Sequence, residues 1–102
     1  MIDATFAVLS DPKRRAVLRL LRDGERSVGE IGEELALTQP GLSKHLRVLR
    51  ESGLVLVRKD AQRRLYAIRP EPIAEIDEWL APYRGLWNGR LDALGVHLDE
   101  GE

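Results

Sequence analysis

The chain has 102 residues, 43% of them apolar and 32% charged, with a formal net charge of −1 and no cysteine. These values describe one ordinary folded domain and exclude intrinsic disorder, disulfide scaffolds, thiolate metal sites and cysteine nucleophiles. No apolar run approaches the roughly 20 residues of a membrane helix and no secretory leader opens the chain, so the expected setting is the cytoplasm, with no membrane partner.

Residues 1–10 predict a short helix carrying Ile2, Phe6 and Leu9 on one side. Asp11 and Pro12 then form a helix start, followed by an apolar stripe of Ala16, Val17, Leu20 and Leu21 that stops at Gly24. Ser27 and Glu30 have capping-box spacing and open a third helix with Val28, Ile31 and Leu35 inward. After a short connection at Ala36 and Leu37, Thr38 is placed as the N-cap of a longer helix whose stripe is Leu42, Leu46 and Leu49, ending at Gly53. Residues 27–52 therefore have helix-turn-helix dimensions. The period then turns extended over 54–59 and 64–68, a hairpin around residues 60–63 with a basic tip. Beyond Pro70 and Pro72, Ile73, Ile76, Leu80, Tyr83, Trp87, Leu91 and Leu94 form a helical seam, which Pro82 should kink or divide near Ala81. The fold class is thus mostly α with a small β-hairpin, in one domain over 1–102.

Divided by element, the near-neutral charge separates. Residues 1–37 sum to −1, residues 38–69 to +6 and residues 70–102 to −6. The positive block falls on the fourth helix and the hairpin, the asymmetry expected of a polyanion-binding element. With Leu42, Leu46 and Leu49 turned inward, Gln39, Ser43, Lys44 and Arg47 face outward, with His45 at the boundary. Gln can bond adenine and Lys can donate to guanine, so Gln39, Ser43 and Lys44 are candidate base readers, whereas Thr38 and Arg47 suit the DNA backbone. Arg58, Lys59, Arg63 and Arg64 place four cations around the hairpin, where phosphates would relieve their repulsion. Lys13, Arg14 and Arg15 oppose the dipole of their own helix, which makes them secondary backbone candidates. A helix and hairpin in this order form a winged helix-turn-helix. Its expected partner is double-stranded DNA.

The strings FAVLSDP at 6–12, VGEI at 28–31 and LSKHLRVLRESGLV at 42–55 resemble the ArsR/SmtB family of small dimeric bacterial repressors. That resemblance implies a winged-helix homodimer on an operator, with the first and last helices at the interface. Residues 1–10 and 71–97 fit that role: Ile2, Phe6 and Leu9 on one helix, and Ile73, Ile76, Trp79, Leu80, Tyr83, Trp87, Leu91 and Leu94 on the other. The family's metal sensing does not carry over. Its Cys-containing motif at the start of the third helix is replaced here by residues 27–31 without a thiolate. Its second site keeps only His97 and Glu100, with Arg84, Gly85 and Leu86 where the upstream pair would stand. No metal or other cofactor is expected, and any small-molecule effector is left unnamed.

No enzyme motif is present: the two histidines lie on different elements, and there is no phosphate loop, nucleophile elbow or zinc-protease pattern. Two alternatives to plain repression stay open. One is a winged-helix protein-interaction module that uses the Trp79 and Trp87 surface without DNA. The other is a repressor that senses a small organic ligand between the terminal helices, lined by Trp79, Tyr83 and Trp87.

Overall fold

The computed structural model describes residues 2–93. Its elements run α1 (Ile2–Leu9), α2 (Pro12–Leu21), β1 (Arg26–Ser27), α3 (Val28–Leu35), α4 (Gln39–Glu51), β2 (Val55–Asp60), β3 (Arg63–Ile68), α5 (Pro70–Leu80), a single 3-10 turn (Ala81–Tyr83) and α6 (Arg84–Ala93). The three strands form an antiparallel sheet in the order β1-β3-β2. This is a winged helix-turn-helix, mostly helical with one small sheet.

Local chemistry sets the boundaries. Asp11 accepts the Lys13 N–H at 2.7 Å with Pro12 behind it, so α2 starts where an amide is answered and no donor is wasted. Ser27 accepts the Glu30 N–H at 3.1 Å while Glu30 accepts the Ser27 N–H at 2.8 Å, the reciprocal capping box read from the sequence. At the far end of α4, Gly53 adopts φ +82°; its N–H donates to the Arg50 carbonyl and the Leu54 N–H to the Leu49 carbonyl, both at 3.0 Å. That pairing is a Schellman motif, and it turns the chain directly from α4 into β2 with Leu54 fully buried. Pro82 divides the last helical stretch, which resumes as α6 after one tight turn.

One core joins Val8, Val17, Leu18, Leu21, Ile31, Leu42, Leu46, Leu49, Leu54, Val55 and Tyr66. Two expectations, the stripe on α2 and the length of the hairpin loop, need correction. On α2 the buried set is Val17, Leu18 and Leu21, whereas Ala16 and Leu20 are half-buried, because α2 packs against α1, α3, α4 and β3 and is covered over more than one stripe. On α1 the inward residues are Thr5 and Val8, while Phe6 is 40% exposed. The hairpin loop has two residues, Ala61 and Gln62, not four, since Asp60 and Arg63 still pair across it. β1 was not anticipated: two residues carry no period, and Ser27 serves as both strand and cap. It pairs Arg26 with Tyr66 and Ser27 with Leu65. Among the described residues, no helix is long and apolar enough to cross a membrane.

Candidate nucleic-acid interface

The reading surface begins with the approach of α3 to α4. A Cβ built on Gly32 would lie 3.3 Å from the Leu42 side chain, so glycine lets the two helices close on each other around the turn at 36–38. Ala36 takes the left-handed conformation, φ 54°, to end α3. With Leu42, Leu46 and Leu49 buried, Gln39, Ser43, Lys44, Arg47 and Arg50 are exposed. Of α2, α3 and α4, only α4 has no side-chain acceptor at its start. Thr38 occupies the N-cap position but its hydroxyl makes no cap bond, and no acid lies in the first turn. Free amides at a helix N-terminus suit an external anion.

A cleft of about 640 Å³ separates α4 from the hairpin. Gln39, Ser43, Arg47 and Arg50 line one side; Gln62, Arg63 and Arg64 line the other. Thus the structure gathers α4 and hairpin candidates at one opening. Arg50 and Gln62 were missed by sequence reasoning. Arg50 continues the spacing of Gln39, Ser43 and Arg47 at steps of 4, 4 and 3, and that signal could have found it.

The four hairpin cations are not equivalent. Arg58 donates twice to the Glu25 carboxylate, at 2.7 and 2.9 Å, which lowers the Glu25 pKa and raises that of Arg58. Because β3 lies between β1 and β2, this pair reaches across the outer face of the sheet, and Leu65 in the same row as Arg58 is 7% exposed. Arg63 meets Asp60 at 3.3 Å. Lys59 and Arg64, in contrast, stand directly opposite each other in the ladder, and neither has an ion pair among the described residues. Like charges in that position oppose strand pairing unless an external anion neutralises them.

The remaining candidates have internal partners. Arg14 and Arg15 donate to the Val8 carbonyl at 3.3 Å and the Leu9 carbonyl at 2.7 Å. They answer unsatisfied acceptors at the C-terminal end of α1, so cations at the start of α2 have a structural explanation that does not need DNA. His45 is half-buried, its Nδ1 lying 3.9 Å from the Asp11 carboxylate.

At the opposite end, Phe6 meets Trp79 edge to face, ring centroids 5.7 Å apart, and Trp79 lies 5.2 Å from Tyr83. α5 has no fully buried residue: Ile73 and Trp79 are 41% and 48% exposed and Ile76 and Leu80 half-buried; Tyr83 in the 3-10 turn is 43% exposed, and Ile2 and Leu9 on α1 are half-buried. On α6, Leu86 is 60% and Trp87 40% exposed. The Leu91 side chain, Leu94, His97 and Glu100 lie outside the described residues. Among those described, no three His, Asp or Glu gather to hold a metal ion.

The chain matches the family described as "Helix-turn-helix domain" over residues 9–58. It is 39% identical over 72 residues to the transcriptional activator HlyU of Vibrio cholerae, covering 71% of this chain and 67% of that one. The match to the transcriptional repressor SdpR of Bacillus subtilis is 28% over 75 residues, covering 74% and 83%. Among solved structures, the ArsR family transcriptional regulator RHA00566 superposes with a TM-score of 0.73 at 35% identity, covering 84% of this chain and 89% of that one.

Proposed function

The chain belongs to the ArsR family of DNA-binding helix-turn-helix transcriptional regulators, and from that membership we propose that it acts in the cytoplasm as a homodimeric repressor on a two-fold symmetric operator. α4 enters the major groove, where Gln39, Ser43 and Lys44 read base edges and Thr38 and Arg47 hold phosphates. The hairpin is the wing. What supports this reading most is the uncompensated charge around one cleft: Arg47 and Arg50 on α4 and Arg64 on the hairpin, with Lys59 opposite Arg64 in the ladder and, among the described residues, no carboxylate paired to any of the four. Arg58 and Arg63 contribute less net charge than Lys59 and Arg64, since each already shares a carboxylate, although each guanidinium keeps donors beyond that pair. Arg14, Arg15 and His45 support the interface from behind, through α1 and Asp11.

The dimer forms through α1, α5, the 3-10 turn and α6, where Phe6, Trp79, Tyr83, Leu86 and Trp87 are too exposed to belong to the core of one chain. Isologous pairing there sets the two copies of α4 about 34–36 Å apart, one turn of DNA. SdpR carries the name repressor and HlyU the name activator, so the sign of control is read directly, from a reporter gene placed behind the selected operator. Loss of the protein should raise expression.

The binding test compares an operator selected from random DNA with unrelated duplex over a salt series. Lys44→Ala should narrow the gap between the two by about 1–3 kcal/mol. Arg64→Gln should weaken both alike and reduce the salt slope by about one. Unchanged affinity and slope for Arg64→Gln would overturn the wing assignment.

A further inference from the structure

A second groove, of about 620 Å³, lies away from the reading face, between α2 and α5. Its two walls differ in chemistry. From α2 come Arg15 and Arg19 and from its C-cap Arg22, spaced at about one helix turn each. From Leu18, Ile68, Pro70, Ile73 and Ala74 comes an apolar floor and far side. Asp77 is the one acid in the lining, and it is already held by Arg84, which donates to both its carbonyl and its carboxylate. Arg15 reaches the Leu9 carbonyl, but the guanidinium groups of Arg19 and Arg22 have no ion pair among the described residues. Like charges one turn apart weaken a helix. Ile73 beside them is left 41% exposed.

We propose that this groove binds an amphipathic organic monoanion, a carboxylate carrying a hydrocarbon body. The carboxylate meets Arg19 and Arg22, and the hydrocarbon covers Leu18, Ile73 and Ala74. Neither half of the groove explains the other half's occupant: a purely inorganic anion leaves the apolar wall wet, and a neutral hydrocarbon leaves the cations unanswered. The volume falls within the usual span of small-molecule sites. Position adds a consequence. α2 packs directly on α4, whereas α5 leads through the 3-10 turn into α6, so one ligand touches the support of the reading helix and the root of the terminal helices together. Whatever it does to DNA affinity, DNA must do in equal measure to its own binding.

Decanoate, below its micelle concentration, is the probe. Calorimetric titration of the full chain should show saturable binding of one decanoate per chain, and decyltrimethylammonium, with the same tail and opposite charge, should show none. The double variant R19Q/R22Q should lose at least tenfold in decanoate affinity. Ala74→Phe fills the groove and keeps every cation, so it should abolish binding as well, which simple ion pairing with surface arginines would not do. Equal uptake of both amphiphiles, undiminished binding by either variant, or no saturable binding because a second copy of the chain covers the groove, would each overturn the proposal. None of these readouts uses DNA, so the outcome stands apart from the repressor reading.

Discussion

Individual carboxylates decide how the chain responds to acid. Asp11, Glu25 and Glu30 all titrate below their ordinary values of 3.8, 4.5 and 4.5. The first causes are, in turn, the hydrogen bond from the Lys13 backbone, the hydrogen bonds from the Arg58 side chain and the hydrogen bond from the Ser27 backbone. Each is bound more strongly as the anion in the folded chain than in the unfolded one. Their stabilisation is therefore complete above those ordinary values and is lost as pH falls through the lowered folded ones. The melting temperature should drop on acidification below about pH 4.5, and Glu25→Gln should flatten that drop; a pH series of thermal melts reads both. Ser27→Ala removes one partner of the capping box and should cost about 1 kcal/mol in urea denaturation. The spacing of Ser27 and Glu30 was visible in sequence because a capping box spans only three residues. The Glu25–Arg58 pair was not, since its partners lie 33 residues apart and meet only when the sheet forms.

At the scale of elements, the wing turn stores a local conflict. Ala61 stands at φ 58°, in the left-handed region, as the first of two loop residues, a position that hairpins usually give to glycine. Ala61→Gly should raise stability by roughly 1 kcal/mol, and because no side chain of the interface changes, affinity for DNA should stay within twofold. Equilibrium unfolding beside a binding isotherm checks the pair. The helix-turn-helix was legible from Leu42, Leu46 and Leu49, whose period survives in the burial. The inward face of α1 was not. Both Thr5–Val8 and Ile2–Phe6–Leu9 run along that helix, and only contact with α2 and α5 shows which one enters the core. Likewise Leu18 interrupts the expected stripe of α2, because neighbours on several sides bury more of that helix than a single amphipathic face allows.

The whole molecule is polar in both senses. Cations gather around α4 and the wing, while exposed apolar side chains lie on α5 and α6 and the acids Glu71, Glu75, Asp77 and Glu78 on α5. If α6 meets a second copy through Leu86 and Trp87, the double substitution L86E/W87E should convert the dimer to monomer in sedimentation, with operator affinity falling at least a hundredfold while the helical content is kept. A dimer that persists in that variant would place the interface elsewhere. Since two half-sites act together only when joined, the loss should be smaller on a single half-site.

By itself the sequence determined the order of the helices and the hairpin, the helix starts at Pro12 and Val28, a break at Pro82 and the positive block on α4 and the hairpin. All of these rest on neighbours within a few residues, where capping, proline and apolar period act. Only the tertiary structure decided which cations are free. Arg58 and Arg63 found carboxylates, Arg14 and Arg15 found the end of α1, and Arg64, Arg47 and Arg50 were left around one cleft, with Lys59 opposite Arg64 in the ladder. Charge can be counted along a chain, but neutralisation depends on a partner within about 4 Å, and folding alone brings that partner there.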